Sequence, residues 1–302
     1  MRPEFDVVVV GPGALGRVFA ARLASRMRVA LVARSDECVR ELERGFLLAG
    51  PGGREGRVFL PAFGPEAVPP ARWAIVLVKG PDTEAAARVA GRAAREGVVS
   101  LQNGWVRERL RRAVGEGVWA DQGATTAAAK REGERTIWVS PGRTWLPERA
   151  RSLAEALSAV GLPAEAGAEV AQRRLEKLAI NLVINPLTAV LDRPNGALLE
   201  PELWEVARGL AAEMYPVLAA RGLELDEEAL LARLREVLVH TASNTSSMLA
   251  DVRAGRPTEI EEITGVLLGW GRELGRPLPR HAALYRLVRA VEQVHRGEAF
   301  EE

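Results

Sequence analysis

The chain has 302 residues, enough for two folded domains, and its 41 basic and 40 acidic residues leave a formal net charge of +1. So even a balance argues against nucleic acid or an acidic membrane surface as the main partner. A single cysteine, Cys38, excludes an internal disulfide, which fits a cytoplasmic location.

The opening MRPEFDVVVVGPG is expected to be neither a signal peptide nor a membrane span, and no later apolar run is long enough to span. Residues 5–10 predict a short buried strand. GPGALG follows at once, residues 17–26 have helical spacing, and RVALVARS at 28–35 predicts a second strand. Strand, glycine turn, helix and strand make the first βαβ unit of a dinucleotide-binding fold. Gly11 permits the tight turn, Gly13 lets the backbone approach a pyrophosphate, and Gly16 lets the helix pack close to the strand. Ala14 and Leu15, between them, are counted with the cofactor-binding turn. At the end of the second strand stand Arg34 and Ser35, a cation and a hydroxyl suited to the 2′-phosphate of NADPH; an acid there would suit NAD. Asp36 and Glu37 follow immediately, so a small shift of register would reverse that choice. They are read as the first-turn acids of the next helix.

Further along, strands at 73–78 and 97–101 flank a helix at 84–95, and a weaker strand-and-turn region covers 125–146. A helix at 153–160 and a turn, GLPAEAG, lead into helical periodicity that continues from residue 168 onward. The expected fold is α/β: a Rossmann dinucleotide-binding domain over 1–165, followed by an all-α domain over 166–302.

Residue usage then singles out a site. Only Lys79, Lys130 and Lys177 are lysines, and only residues 103, 181, 185, 195 and 244 are asparagines. Against that background Lys177, Asn181 and Asn185 fall at i, i+4 and i+8, one row on one helical face, among Leu178, Ala179, Ile180, Leu182, Val183, Ile184 and Leu187. A buried unpaired lysine costs on the order of several kcal/mol. The row is sensible if it lines a polar cavity, with an ammonium as proton donor and amides for hydroxyl or carboxylate groups. A solvated face, or amides satisfied by backbone, is the other reading.

The chain resembles the ketopantoate reductase (2-dehydropantoate 2-reductase) family, on GPGALG, VKGPDT at 78–83, LQNG at 101–104, EKLAINLVINPLTAV at 176–190 and SSMLADVRAGRPTEIEEITG at 246–265. The resemblance runs over essentially the whole chain. It implies a Rossmann domain, a helical domain and a cleft between them, with NADPH as cofactor. Lys177 matches the family's general acid and Glu259 the assisting acid. Asn181, Asn185 and Asn195 match the amides that hold substrate, and Ser247 a hydroxyl that binds the substrate carboxylate. Lys79 and Asn103 match positions near the nicotinamide and the active-site entrance. Asn103 is counted with both substrate and cofactor, and Glu259 with the cofactor as well. A histidine often seen in the family near 139–142 is absent here.

The implied reaction is reduction of a small 2-oxo acid, 2-dehydropantoate, to (R)-pantoate without metal. As hydride reaches the ketone carbon, negative charge grows on its oxygen, and an ammonium both stabilises it and supplies the proton. Arginine would not readily give up that proton, which explains a lysine in an arginine-rich chain. Another small branched 2-oxo acid, or an inactive NADP(H)-binding regulator, are the alternatives, and a homodimer is left open as the assembly. His240, His281 and His295 lack metal-ligand spacing and are read as helix surface or boundary residues. RERLRR at 107–112 and Lys130 are read as surface, and Trp105 as packing.

Overall fold

The structure is a computed structural model and describes residues 4–296. It divides into two compact units. One holds the chain up to Gln102 together with Val106–Val170; the other holds Asn103–Trp105 and the chain from Ala171 onward.

The first unit is built on strands β1 (Phe5–Val10), β2 (Val29–Val32), β3 (Phe46–Ala49), β4 (Glu55–Val58), β5 (Ala62–Phe63), β6 (Ala71–Val76), β7 (Ala94–Ser100) and β8 (Ala120–Gln122). Six of them form one parallel sheet in the order β5-β2-β1-β6-β7-β8. Val7, Val8 and Val9 have no exposed surface because a parallel strand is covered on both faces and must be apolar at every position. Alternate residues serve opposite sides. Val7, Val9, Leu31 and Ile75 pack with Val18, Phe19 and Leu23 of α1 (Ala14–Leu23). Val8, Val10, Ala74 and Val76 pack with Ala86, Ala87, Ala90 and Ala93 of a later helix, Thr83–Ala93. The chain leaves β1 towards β2 on one side, and β6 lies on the other. The order therefore reverses at β1, whose carboxyl end carries the glycine turn.

Two smaller sheets complete the unit. β3 and β4 pair as an antiparallel hairpin and join β9 (Ala128–Glu132) and β10 (Arg135–Ser140) in the order β9-β10-β3-β4. Residues 46–63, where the sequence predicts no strand, hold β3, β4 and β5. They are short, and β4 is polar and mostly exposed, so neither period stands out. GLPAEAG, read as a turn, holds a three-residue strand, Ala164–Ala166, paired in parallel with Thr144–Leu146. Three residues are too few to show alternation.

In the second unit the described residues from Ala171 onward form helices and their connections, as the helical spacing predicts. The longest is the site helix Val170–Leu191; Pro201–Ala220, Glu227–His240, Ser247–Arg253, Val266–Glu273 and Pro279–Arg296 follow. Leu178, Leu182 and Val183 pack with Leu210, Met214, Leu230, Leu234, Ile263 and Val288 in one core. His281, expected at a surface or boundary, has no exposed surface. Its Nδ1 lies 2.7 Å from Glu213 Oε2, and the same oxygen accepts from its backbone N–H. A carboxylate at the start of a helix satisfies donors that have no partner within it, and the imidazole is drawn in with them.

Candidate active site

The first unit presents the glycine turn. Gly11 has φ +103°, and a Cβ there would lie 2.7 Å from Val78 Cγ1. At Gly16 it would lie 2.0 Å from the carbonyl oxygen of Gly11, so only glycine lets α1 approach the turn. Gly13, with extended backbone, precedes the first residue of α1, and a Cβ there would meet nothing within 4 Å. The turn therefore leaves open space at the N-terminus of α1, where the N–H groups of the first turn lack helical partners. A pyrophosphate fits that cradle. Behind it Arg17, 2% exposed, donates from Nε to the Pro12 carbonyl at 3.1 Å and is paired with Glu41 at 2.8 Å.

Arg34 follows β2 and is largely exposed, 3.8 Å from Asp82 Oδ2. Ser35 is the N-cap of the helix Asp36–Glu43, its hydroxyl accepting from Cys38 N–H. Asp36 and Glu37 lie in that helix's first turn, where acids are favoured. Lys79 is exposed and precedes the short 3₁₀ turn Gly80–Asp82.

The second unit brings together the residues expected from the sequence to carry proton chemistry. The Lys177 ammonium donates to Asn103 Oδ1 at 2.7 Å, and Asn103 Nδ2 donates to Glu259 Oε2 at 3.2 Å. Burial lowers the Lys177 ammonium from its usual 10.5 to about 8, while the negative charge of Glu259 acts the other way. Glu259 is 5% exposed and sits just before the π-helical turn Glu261–Gly265. Its neighbour Thr258 is pinned by a backbone bond of 2.7 Å to Glu292 Oε1 on the last helix.

Asn181 is half-buried, Asn185 is buried, and their side chains make no hydrogen bond to the described residues. Asn195 donates from Nδ2 to Thr241 Oγ1 at 3.0 Å, and its buried Oδ1 has no partner among the described residues. Its backbone N–H bonds to the Asn244 carbonyl at 3.0 Å, which brings the 241–246 loop against it. Thr188, three residues beyond Asn185, meets Ser246 Oγ at 2.7 Å. Ser246 caps the helix Ser247–Arg253, and Ser247 stands exposed in its first turn. Amide groups without a partner on a mostly apolar helix are costly unless something polar meets them.

Sequence reasoning missed two buried glutamines of the first unit. Gln102 donates from Nε2 to Thr83 Oγ1 at 2.8 Å, and Val106 N–H bonds to Gln122 Oε1 at 3.1 Å. Glutamine is as scarce as asparagine here, with residues 102, 122, 172 and 293 only, so the reasoning that singled out Asn103 would have found Gln102 and Gln122. Among the described residues no helix is long and apolar enough to cross a membrane.

Residues 7–151 match the family described as ketopantoate reductase PanE/ApbA, and residues 169–292 match its C-terminal domain. The chain is 33% identical to the 2-dehydropantoate 2-reductase of Archaeoglobus fulgidus, covering 95% of this chain and 97% of that one. To its counterpart in Halobacterium salinarum it is 34% identical, over 95% and 99%. A PanE/ApbA family ketopantoate reductase from Ralstonia eutropha superposes with a TM-score of 0.84 at 27% identity, over 96% and 99% of the two chains. A D-mandelate dehydrogenase, solved with NADH and anilino(oxo)acetate, shares the fold with a TM-score of 0.89 at 23% identity, over the same shares. With both segments matched and relatives aligned end to end, the chain belongs to the ketopantoate reductase family of oxidoreductases.

Proposed function

We propose that this protein reduces 2-dehydropantoate to (R)-pantoate with NADPH, a step of pantothenate and coenzyme A biosynthesis. The observation that carries the reading is the linked set Lys177–Asn103–Glu259, with a lysine whose proton is loosened to about 8. NADPH supplies the hydride. Lys177 orients and polarises the substrate's ketone oxygen and gives it the proton. Glu259, through Asn103, keeps the ammonium charged and placed. Asn181, Asn185 and Asn195 offer amide groups to the substrate's hydroxyl and carboxylate, and Ser247 a hydroxyl to the carboxylate. Gly11, Gly13, Ala14, Leu15 and Gly16 receive the pyrophosphate, Arg34 the 2′-phosphate, and Lys79, Asn103 and Glu259 stand by the nicotinamide. In this reading residues 1–165 hold the cofactor, and residues 166–302 hold the substrate and the proton chemistry.

NADPH oxidation with 2-dehydropantoate, followed by absorbance beside NADH and beside a substrate lacking the terminal hydroxyl, tests it. Fast turnover with NADPH and the hydroxylated acid is expected. Absence of turnover with NADPH still bound would move the reading to another 2-oxo acid or to a regulator.

A further inference from the structure

We propose that Trp105 is a positioning residue of this site: it fixes the Asn103–Trp105 segment so that one amide bonds Lys177 and Glu259 together. The inference rests on the reductase reading for its kinetic test, but not for its spectroscopic one.

The Asn103 amide has one acceptor end and one donor end. It serves an ammonium at 2.7 Å and a carboxylate at 3.2 Å in only one orientation. Its side chain is short, so a backbone drift of about 1 Å would break one of the two bonds. Three observations fix that backbone. Gly104 has φ +71°, and a Cβ there would lie 2.5 Å from the Glu262 carbonyl oxygen, so the segment lies directly against the π-helical turn. The Trp105 N–H donates to that same carbonyl at 2.8 Å. The Trp105 ring is gripped as well, meeting Trp270 edge to face with centroids 5.1 Å apart and the Arg174 guanidinium at 5.4 Å from its centroid. An indole offers both an edge-to-face surface and a cation-attracting face, so one side chain ties the segment to two helices. A packing residue elsewhere on the surface would have no such link. Trp105 is two positions from the amide that holds the proton donor.

Two measurements test this. In steady-state kinetics, Trp105→Leu should lower kcat about 10- to 100-fold, the scale of a misplaced catalytic group. Trp105→Phe, which keeps a ring, should restore most of kcat. In an Asn103→Ala background Trp105→Leu should cost nothing further, because its effect passes through that amide. An equal loss in both backgrounds would overturn the inference. The second measurement needs no turnover. The chain has only three lysines, so 13C labelling at Cε gives three signals, with Lys79 and Lys130 as internal references for Lys177. Trp105→Leu should move the Lys177 titration downward, in the direction of Asn103→Ala, with the Glu259 carboxylate left in place. An unmoved Lys177 titration would overturn the inference even in a protein that turned out not to reduce 2-dehydropantoate. Should Trp105→Leu fail to fold, Trp270→Leu, which removes the edge-to-face partner of the ring without changing any charge, should shift Lys177 the same way by less; no shift would count against the proposal.

Discussion

Lys177 Nζ and Asn103 Oδ1 lie 2.7 Å apart across 74 residues of sequence, and the far end of the same amide reaches Glu259. An ammonium held this way has one proton committed to Asn103 and sits in the same chain of hydrogen bonds as a carboxylate. Lys177→Ala should therefore lower kcat by roughly 10²–10⁴-fold, the usual scale for a lost general acid. Lys177→Arg should not restore it, because a guanidinium stabilises charge without giving up its proton. Steady-state rates of purified variants with 2-dehydropantoate check both. Wild-type turnover in either variant would remove Lys177 from the mechanism.

The loosened proton has consequences for pH. The general acid must be charged, so kcat for reduction should fall as pH rises through about 8. The effect on stability has the opposite sign. With the folded-state value below the unfolded one, the folded protein loses its proton first as pH rises. Below about 8 both states are charged and the folded state carries the full desolvation cost. Between about 8 and 10.5 the unfolded chain binds more protons, and that cost is relieved. Lys177→Met should accordingly melt at a higher temperature than wild type near neutral pH, with the gap closing towards pH 10.5. A constant gap across that range would mean that Lys177 is solvated as an ordinary surface lysine.

Two glycines of one turn should respond in opposite ways. A Cβ at Gly16 would sit 2.0 Å from the Gly11 carbonyl oxygen, so Gly16→Ala should lower the melting temperature sharply. A Cβ at Gly13 would meet nothing within 4 Å, so Gly13→Ala should fold normally and lose dinucleotide affinity, since the methyl occupies the space meant for phosphate. Thermal melts beside NADPH titrations separate the two. A stable Gly13→Ala protein with undiminished affinity would place the pyrophosphate elsewhere.

Legibility in the sequence followed the range of each signal. β1, the glycine turn and the row Lys177–Asn181–Asn185 lie within single elements, where period and spacing are visible. The union of Lys177 with Asn103 was not, because no local pattern records a contact formed by folding. The resemblance placed both residues at the site without supplying the bond. Glu55–Val58 was hidden because it is short, polar and mostly exposed, and Ala164–Ala166 because so short a strand takes its pairing from another segment, Thr144–Leu146, and not from its own composition. His281 looked like a surface residue because its reason for burial, Glu213, lies 68 positions earlier.

In the proposed function the choice between the two nicotinamide cofactors rests on Arg34. Its side chain is 82% exposed and its neighbouring charge is Asp82 Oδ2 at 3.8 Å, a separation at which an exposed pair is weak. Arg34 can therefore leave Asp82 for a doubly charged phosphate at little cost. A charge-assisted hydrogen bond is worth about 1.5–3 kcal/mol, so Arg34→Ala should weaken NADPH roughly 10- to 100-fold and NADH hardly at all. Asp82→Asn should act the other way and tighten NADPH modestly, because it removes a competitor for the same guanidinium. Dissociation constants for both cofactors, measured at fixed salt because the interaction is exposed, check the pair of variants. Equal losses for NADPH and NADH in Arg34→Ala would mean that the 2′-phosphate is read by another residue.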